Sequence, residues 1–362
     1  MNFAFRVEEN HAVESIQYDV DIDLANEIKA EMKTIIGAGS NNVLSKMTDF
    51  SAMLELSGQY RHPVLVLKTE EPGSKQILAS KYGRLANVAY DMIHHLINDC
   101  ICMGATPLSV QDAIICGKID KDDIKTLVDA MARCCEEQGC RLTGGETSEQ
   151  PGVLPEKTYI LTSSIVGVVE KDSIIDGTSV RPDDVVLALE SSGIHTNGYT
   201  LVRKIMEKYP GIVKESVGGM SFIDSILTPH RCYYRAISDL FPLRIIKGIA
   251  HITGGGIREN LNRILPANMD AELWADRYNI LPIFQLLRRY GNISDQEMLR
   301  TFNLGVGMTI ITAPENAEKV TAHIMDRGIG CYPIGRIVGG EQNVKIIGKF
   351  IWESGSALEG NE

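Results

Sequence analysis

Four short polar stretches hold the residue types that could do chemistry. "KTEEPGSK" (68–75) follows the apolar run "PVLVL" and ends in a Gly-Ser-Lys turn. Lys75 there could contact a phosphate, but Glu70 and Glu71 would repel one unless a divalent cation stood between them. "GGETSEQPG" (144–152) places Glu146 and Glu149 behind a Gly-Gly pair. Their carboxylates are the hard ligands Mg2+ takes, although a solvated turn between helix and strand has the same composition. "ESSGIHTNGYTLVRK" (190–204) crowds Ser191, Ser192, His195, Thr196 and Asn197 between glycines, directly ahead of a helix. A phosphate or a developing oxyanion suits that position. A Ser–His hydrolase reading lacks both G-x-S-x-G and an acidic orienting residue. "HITGGGIRENLNRILP" (251–266) runs Gly254, Gly255 and Gly256 into an amphipathic helix. Such a turn lets backbone amides approach a ligand, or packs a helix closely on a sheet.

A fifth cluster lies on the helical pattern "GRLANVAYDMIHHLINDCICMG" (83–104). Asp91, His95 and Asp99 recur every fourth residue and so share a face. Asp99 is read as a carboxylate aimed at Mg2+, with a His95–Asp99 transition-metal pair as the lesser reading. Neither G-x-x-x-x-G-K-[ST] nor G-x-G-x-x-G occurs, so the two common phosphate-loop fingerprints are excluded.

The elements that must position these residues alternate along the chain. Strand patterns at 62–68, 107–116 and 159–170 flank helical patterns at 83–104 and 122–139, the second closing on Gly139. The turn-rich stretch "KDSIIDGTSVRPDD" (171–184) predicts a boundary, giving domains 1–170 and 171–362. A second unit repeats the alternation, with strands at 185–190, 305–313 and 331–339 and helices at 199–209 and 317–328. The class expected is mixed α/β in two domains.

Composition sets the outer bounds. The chain has 362 residues, 44% hydrophobic and 23% charged, and a net charge of −11. That balance disfavours general nucleic-acid binding, which needs basic surface. No 18-residue apolar run spans a membrane, and the N-terminus, charged from Arg6, lacks a signal core. Eight cysteines form no framework. Cys100/Cys102 and Cys134/Cys135 are too close for ordinary disulfides, so reduced thiols and a cytoplasmic location are expected.

In order and wording these motifs resemble the aminoimidazole ribonucleotide synthetases, the phosphoribosylformylglycinamidine cyclo-ligases of purine biosynthesis. "GGETSEQPG" is similar to the family's GGETAEMPG, "ESSGIHTNGYTLVRK" to SSGxHSNGxSLVRK, and "HITGGGIRENLNRILP" to HxTGGGxxENxPRxLP. "LPIFQLLRRYGNISDQEMLRTFNLGVGM" (281–308) and "YDVDIDLANEIKAEMK" (18–33) extend the likeness over about residues 18–340. The resemblance implies an ATP- and Mg2+-dependent ligase acting on a small phosphoribosyl amidine. It implies a homodimer whose N-terminal domains, which bind ATP, join in a β-barrel, and a C-terminal α/β domain behind them. By position, Glu70, Asp99 and Glu146 would hold the metal and, with Lys75, the nucleotide phosphates. His195 and Asn197 would face the reacting amide, and Thr253 with Gly254, Gly255 and Gly256 would floor the cleft. Asp91 occupies a family acidic position.

The chain departs from the family in its N-terminal loops. The family's TDGVGTK is TEEPGSK, its GGxGG segment is "GAGSNNVLSKM" (37–47), and its methionines are Gln150 and His95. Those departures leave two other readings: a sister enzyme activating a different amide or oxygen nucleophile, and a nucleotide-binding scaffold without turnover.

Overall fold

The computed structural model describes residues 58–352, together with Glu27, 43–45 and 51–56. The segments 18–33 and 37–47 lie outside the described residues, apart from Glu27 and 43–45.

Strand β1 (Pro63–Glu70) leads through the Pro-Gly-Ser turn into helix α1 (Lys75–Lys81) and the long helix α2 (Leu85–Ile101). Strand β2 (Thr106–Cys116), helix α3 (Lys121–Glu137) and strands β3 (Arg141–Glu149) and β4 (Tyr159–Glu170) complete the first half. The strands lie in the order β1-β4-β2-β3. β3 runs parallel to β2, and the other neighbours are antiparallel. Each long element follows from its own sequence. α3 starts at Asp120, whose carboxylate accepts the amides of Asp122 and Asp123, and it ends with Gly139 at a positive φ of 76°. α2 has apolar residues on most sides, and Val88, Met92, Ile93, Leu96 and Ile97 are fully buried. A helix that apolar is an interior helix.

The second half is built on a six-stranded sheet. Strands β5 (Val185–Glu190), β8 (Ile246–His251), β9 (Met269–Trp274), β10 (Val306–Thr312), β11 (Cys331–Gly339) and β12 (Val344–Ile347) take the order β12-β9-β11-β5-β10-β8. Between β5 and β8 lie helix α4 (Tyr199–Lys208), the two-residue strands β6 (Ser216–Val217) and β7 (Met220–Ser221), and helices α5 (Phe222–Ile226) and α6 (Tyr234–Ile237). Helix α7 (Gly256–Asn262) follows β8. Helices α8 (Pro282–Gly291) and α9 (Asp295–Thr301) precede β10, and α10 (Pro314–Met325) follows it. Every residue of β10 is buried, as expected for a β-branched strand inside a covered sheet.

α2 ties the two halves together through a polar stripe. Asn87, Asp91, His94 and Asn98 recur at helical spacing, and each meets the backbone of segment 227–233. Asn87 donates to the Leu227 carbonyl and Asp91 accepts the His230 amide. His94 contacts the His230 carbonyl. Asn98 donates to the Arg231 carbonyl and accepts the Tyr233 amide. Buried backbone groups need partners, and here helix side chains stand in for a neighbouring strand.

All eight cysteines are free thiols, seven of them buried. Among the described residues no helix is long and apolar enough to cross a membrane.

Candidate active site

A cleft of about 500 Å3 opens between the halves. One wall is Lys68 and Glu70 of β1 with Asp99, Cys102 and Met103 at the end of α2; the other includes His251, Thr253, Gly254 and Asn260. Asn260 donates to the carbonyls of Gly254 and Gly256 and so fixes the glycine turn. Gly255 and Gly256 have φ of 87° and 65°, and a Cβ on Gly256 would stand 1.9 Å from the Leu299 carbonyl. Only glycine fits there. The tight-packing reading therefore holds for Gly256, while Gly254 faces the cleft.

Charged groups concentrate at the β1–α2 wall. The Lys68 ammonium lies 2.6 Å from Glu70 and 3.2 Å from Asp99. Asp99 accepts the His251 Nδ1–H at 2.7 Å through its other oxygen. Burial would lift the Asp99 carboxyl, but His251, His95 and Lys68 outweigh that and hold it well below the usual carboxylate range. His95 Nδ1 lies 3.1 Å from Thr196 Oγ1, and its Nε2 is 3.8 Å from Glu70 and 3.7 Å from Asp99. Burial, then the neighbouring His251, brings the His95 imidazole down to about 4, so it is neutral at pH 7.

Behind this wall is a layer of imidazoles. His251 Nε2 meets His230 Nε2 at 2.9 Å, and the His230 ring stacks on His195 with centroids 3.8 Å apart. Because ionised Asp99 can only accept, His251 carries its proton on Nδ1. With its proton on Nδ1, His251 accepts from His230 through Nε2, leaving His230 Nδ1 bare. His195 Nε2 accepts the Ser192 amide, which puts its proton on Nδ1. Both Nδ1 atoms are buried without a partner among the described residues.

The sequence-predicted residues separate into distinct positions. Glu70, Asp99, Thr253 and Gly254 line the cleft. Asn197 Oδ1 sits against Gly254, 3.4 Å from where a Cβ would stand. His195, expected to face the reacting amide, has a positive φ of 65° and a ring only 1% exposed, so in this conformation it does not line the cleft.

Lys75 differs from expectation more sharply. Its ammonium is fully buried, with both Asp91 oxygens at 2.8 Å and the His195 and Thr228 carbonyls at 3.1 and 2.7 Å. Three kinds of partner saturate its donors, so no phosphate is reached from this position. Burial lowers the Lys75 ammonium and lifts Asp91 to about 6, and each charge pulls the other back. The two carbonyls on Nζ and the His230 amide on Asp91 favour the ionised pair. The exposed cation beside Glu70 and Asp99 is Lys68, which the motif reading passed over because it closes the strand pattern 62–68; in the structure it lies within β1.

Glu146 also parts from the other acids. Glu70, Ser163, Asp112 and Gly145 form one row across the sheet, and Glu146 is the exposed residue just past it. Three strand spacings put it roughly 14 Å from Glu70, so one ion cannot take Glu70, Asp99 and Glu146 together. Asp112, in the row itself, is a buried carboxylate whose two oxygens have no hydrogen-bond partner among the described residues. Burial, with a contribution from Glu146, pushes the Asp112 carboxyl up to about 7. A buried, unpaired carboxylate fits a hard cation. The signal for Asp112 was legible: an acid in the middle of the strand pattern "SVQDAIIC".

Comparison with known proteins gives a consistent result. The AIR synthase related protein N-terminal domain matches residues 52–169, and the corresponding C-terminal domain matches residues 181–347. The phosphoribosylformylglycinamidine cyclo-ligase of Cupriavidus pinatubonensis is 42% identical over 322 residues, covering 88% of this chain and 91% of its own. That of Chromobacterium violaceum is 40% identical over 332 residues, covering 90% and 96%. Among solved structures, the E. coli hydrogenase maturation protein HypE superposes with a TM-score of 0.64 at 15% identity, over 93% of this chain and 98% of its own. Thiamine-monophosphate kinase from Stenotrophomonas maltophilia gives 0.61 at 16% identity, over 91% and 98%. At such identities the two structures speak to the fold alone.

Proposed function

The chain belongs to the AIR synthase related family and, within it, to the phosphoribosylformylglycinamidine cyclo-ligases, and from that premise we propose how its cleft works. The protein is an ATP-dependent ligase that converts formylglycinamidine ribonucleotide to aminoimidazole ribonucleotide. The formyl oxygen attacks the terminal phosphorus of ATP and releases ADP. An internal nitrogen then attacks the formyl carbon, the ring closes, and the oxygen leaves as inorganic phosphate. An amide oxygen is a poor leaving group, and phosphorylation makes it a good one.

The protein's part is positioning and charge neutralisation. Glu70 and Asp99 would hold Mg2+, which when bound would supply positive charge near the transferring phosphoryl group. Their convergence on the cleft supports that assignment. Lys68, not Lys75, takes the phosphate role. Asn197 and the Thr253–Gly254 turn hold the amide, and His195 shapes its loop from behind. Lys75 fixes that loop by its hydrogen bond to the His195 carbonyl.

The observation that carries this reading is the cleft itself: acids from the first half face a glycine turn from the second, in a chain about 40% identical to cyclo-ligases over most of its length. Coupled turnover tests it. ADP release should depend on the formylglycinamidine ribonucleotide and match the ring-closed product mole for mole. ADP release indifferent to that substrate would contradict the reading.

The first domain, to residue 170, is assigned the nucleotide and a second copy of the chain, and the segment from 171 the rest of the cleft. Leu65 and Leu67 are 52% and 70% exposed on β1 and share a sheet face with half-buried Val166. An apolar sheet face left open calls for a partner, and two such faces would close the barrel. Leu67→Glu should yield monomers in sedimentation while the fold persists. A native chain that sediments as a monomer at micromolar concentration would rule the dimer out. The free thiols are consistent with a reducing, cytoplasmic setting.

A further inference from the structure

We propose that the cleft wall of this chain binds a first-row divalent transition ion through His95 Nε2, Glu70 and Asp99, with Lys68 holding the ion's place in its absence. The inference rests on the assignment of Glu70 and Asp99 as metal ligands and goes beyond it in the third ligand and in the class of ion. His95 stands where the resemblance leads one to expect methionine.

Three observations carry it. First, His95 Nε2 lies 3.8 Å from Glu70 Oε1 and 3.7 Å from Asp99 Oδ2. Both distances are too long for hydrogen bonds. An ion about 2.0–2.2 Å from each ligand holds neighbouring ligand atoms roughly 3.0–3.5 Å apart, so His95 closes on either oxygen by a few tenths of an ångström, while Glu70 Oε1 and Asp99 Oδ2, spread around the Lys68 ammonium, close further once it leaves. Among the described residues Nε2 makes no hydrogen bond, although the side chain is 7% exposed. Second, the supporting shell is in place. His95 Nδ1 is within hydrogen-bond distance of Thr196 Oγ1, and a ligating imidazole donates its other N–H in this way. Asp99 spends Oδ1 on His251 and keeps Oδ2 turned toward His95 and Lys68. Third, the Lys68 ammonium already bridges Glu70 Oε1 and Asp99 Oδ2, the two oxygens an ion would share. Lys68 is 39% exposed and can swing outward as the ion enters.

The donor set decides the class of ion. Mg2+ prefers an all-oxygen octahedron that keeps several waters. One neutral imidazole with two carboxylates favours ions further along the first row, Mn2+ through Zn2+. Among the described residues, two other groupings have ligand atoms within 4.8 Å of one another. That of His95, Asp99 and His251 lacks a free nitrogen on His251, whose Nδ1 is given to Asp99 and whose Nε2 meets His230. That of His195, His230 and His251 fails on geometry. His195 and His230 are stacked, so their in-plane lone pairs run side by side and cannot meet at one ion.

Co2+ titration of the full-length protein in Mg2+-free buffer, read by visible absorption, provides the test. The wild type should bind one tight equivalent. His95→Gln should weaken Co2+ by roughly tenfold or more, and Thr196→Val should weaken it less. Mg2+ affinity, measured by calorimetry on the same proteins, should move by no more than about twofold, since Mg2+ does not need the nitrogen. Lys68→Met should tighten Co2+. Equal Co2+ affinity in wild type and His95→Gln would overturn the proposal. If Glu70→Gln and Asp99→Asn still weakened Mg2+, the underlying ligand assignment would survive that failure; if they did not, both would fall. Should His95→Gln not fold, the wild type loaded with Mn2+ decides. Its electron spin-echo spectrum should carry modulation from a directly bound imidazole nitrogen, and a spectrum without it overturns the proposal.

Discussion

At Lys75, a lysine closing a Gly-Ser turn reads as a phosphate ligand because the turn exposes backbone amides and the side chain is cationic. What the sequence hides is the partner: Asp91, sixteen residues on, reaches the same buried point and saturates the ammonium together with two carbonyls. Removing one charge leaves the other buried and unpaired, which costs about 3–5 kcal/mol. Lys75→Met and Asp91→Leu should each lower the unfolding free energy, extrapolated from urea titration, by that much, while the double variant recovers most of the loss. Additive losses would mean that the two charges do not depend on each other. Asp112 shows the opposite case. Its acid was visible in the strand pattern, but only the fold reveals that no partner among the described residues meets it.

Elements were more legible than sites. The strand and helix periods of 159–170, 185–190 and 331–339 match β4, β5 and β11, because burial on one or both faces imposes the same spacing on sequence and structure. β3 was not legible as a strand. Leu142 is the one large apolar residue in "RLTGGETSE", so pairing with β2, rather than its own pattern, makes it extended. α1 was hidden for a related reason: it starts within the loop motif, at Lys75 itself. The glycine turn before α7 yields a prediction at this scale. Gly256→Ala should markedly lower the melting temperature, since the new Cβ would meet the Leu299 carbonyl at 1.9 Å and φ is 65°. Gly254→Ala has no such conflict and should melt near the wild type while losing affinity for substrate. Equal melting temperatures would show that the turn relaxes freely.

At the scale of the whole molecule, the halves meet through imidazoles, and that makes their union sensitive to acid. Burial lowers His94, His95, His195 and His230, each below the ordinary histidine range. In the unfolded chain these groups take protons near 6.5, whereas folded His95 does so only near 4. As pH falls, the unfolded state binds more protons. The stability these groups confer is therefore complete above 6.5 and is lost as pH falls toward 4. The urea midpoint should drop steeply across that window, and His95→Gln should flatten part of the drop. A midpoint that stays level through the window would contradict neutral burial. None of this layer was readable in advance, because His230 and His251 come from segments that only the packing of the second half brings against α2.

The central claim is that the formyl oxygen is phosphorylated and leaves with the phosphate. The coupled reaction run on substrate labelled with oxygen-18 in the formyl group tests it most directly, by mass spectrometry of the inorganic phosphate. The account predicts one labelled oxygen in the phosphate for every ring closed. Ring closure with the label released to water and none in the phosphate would contradict it.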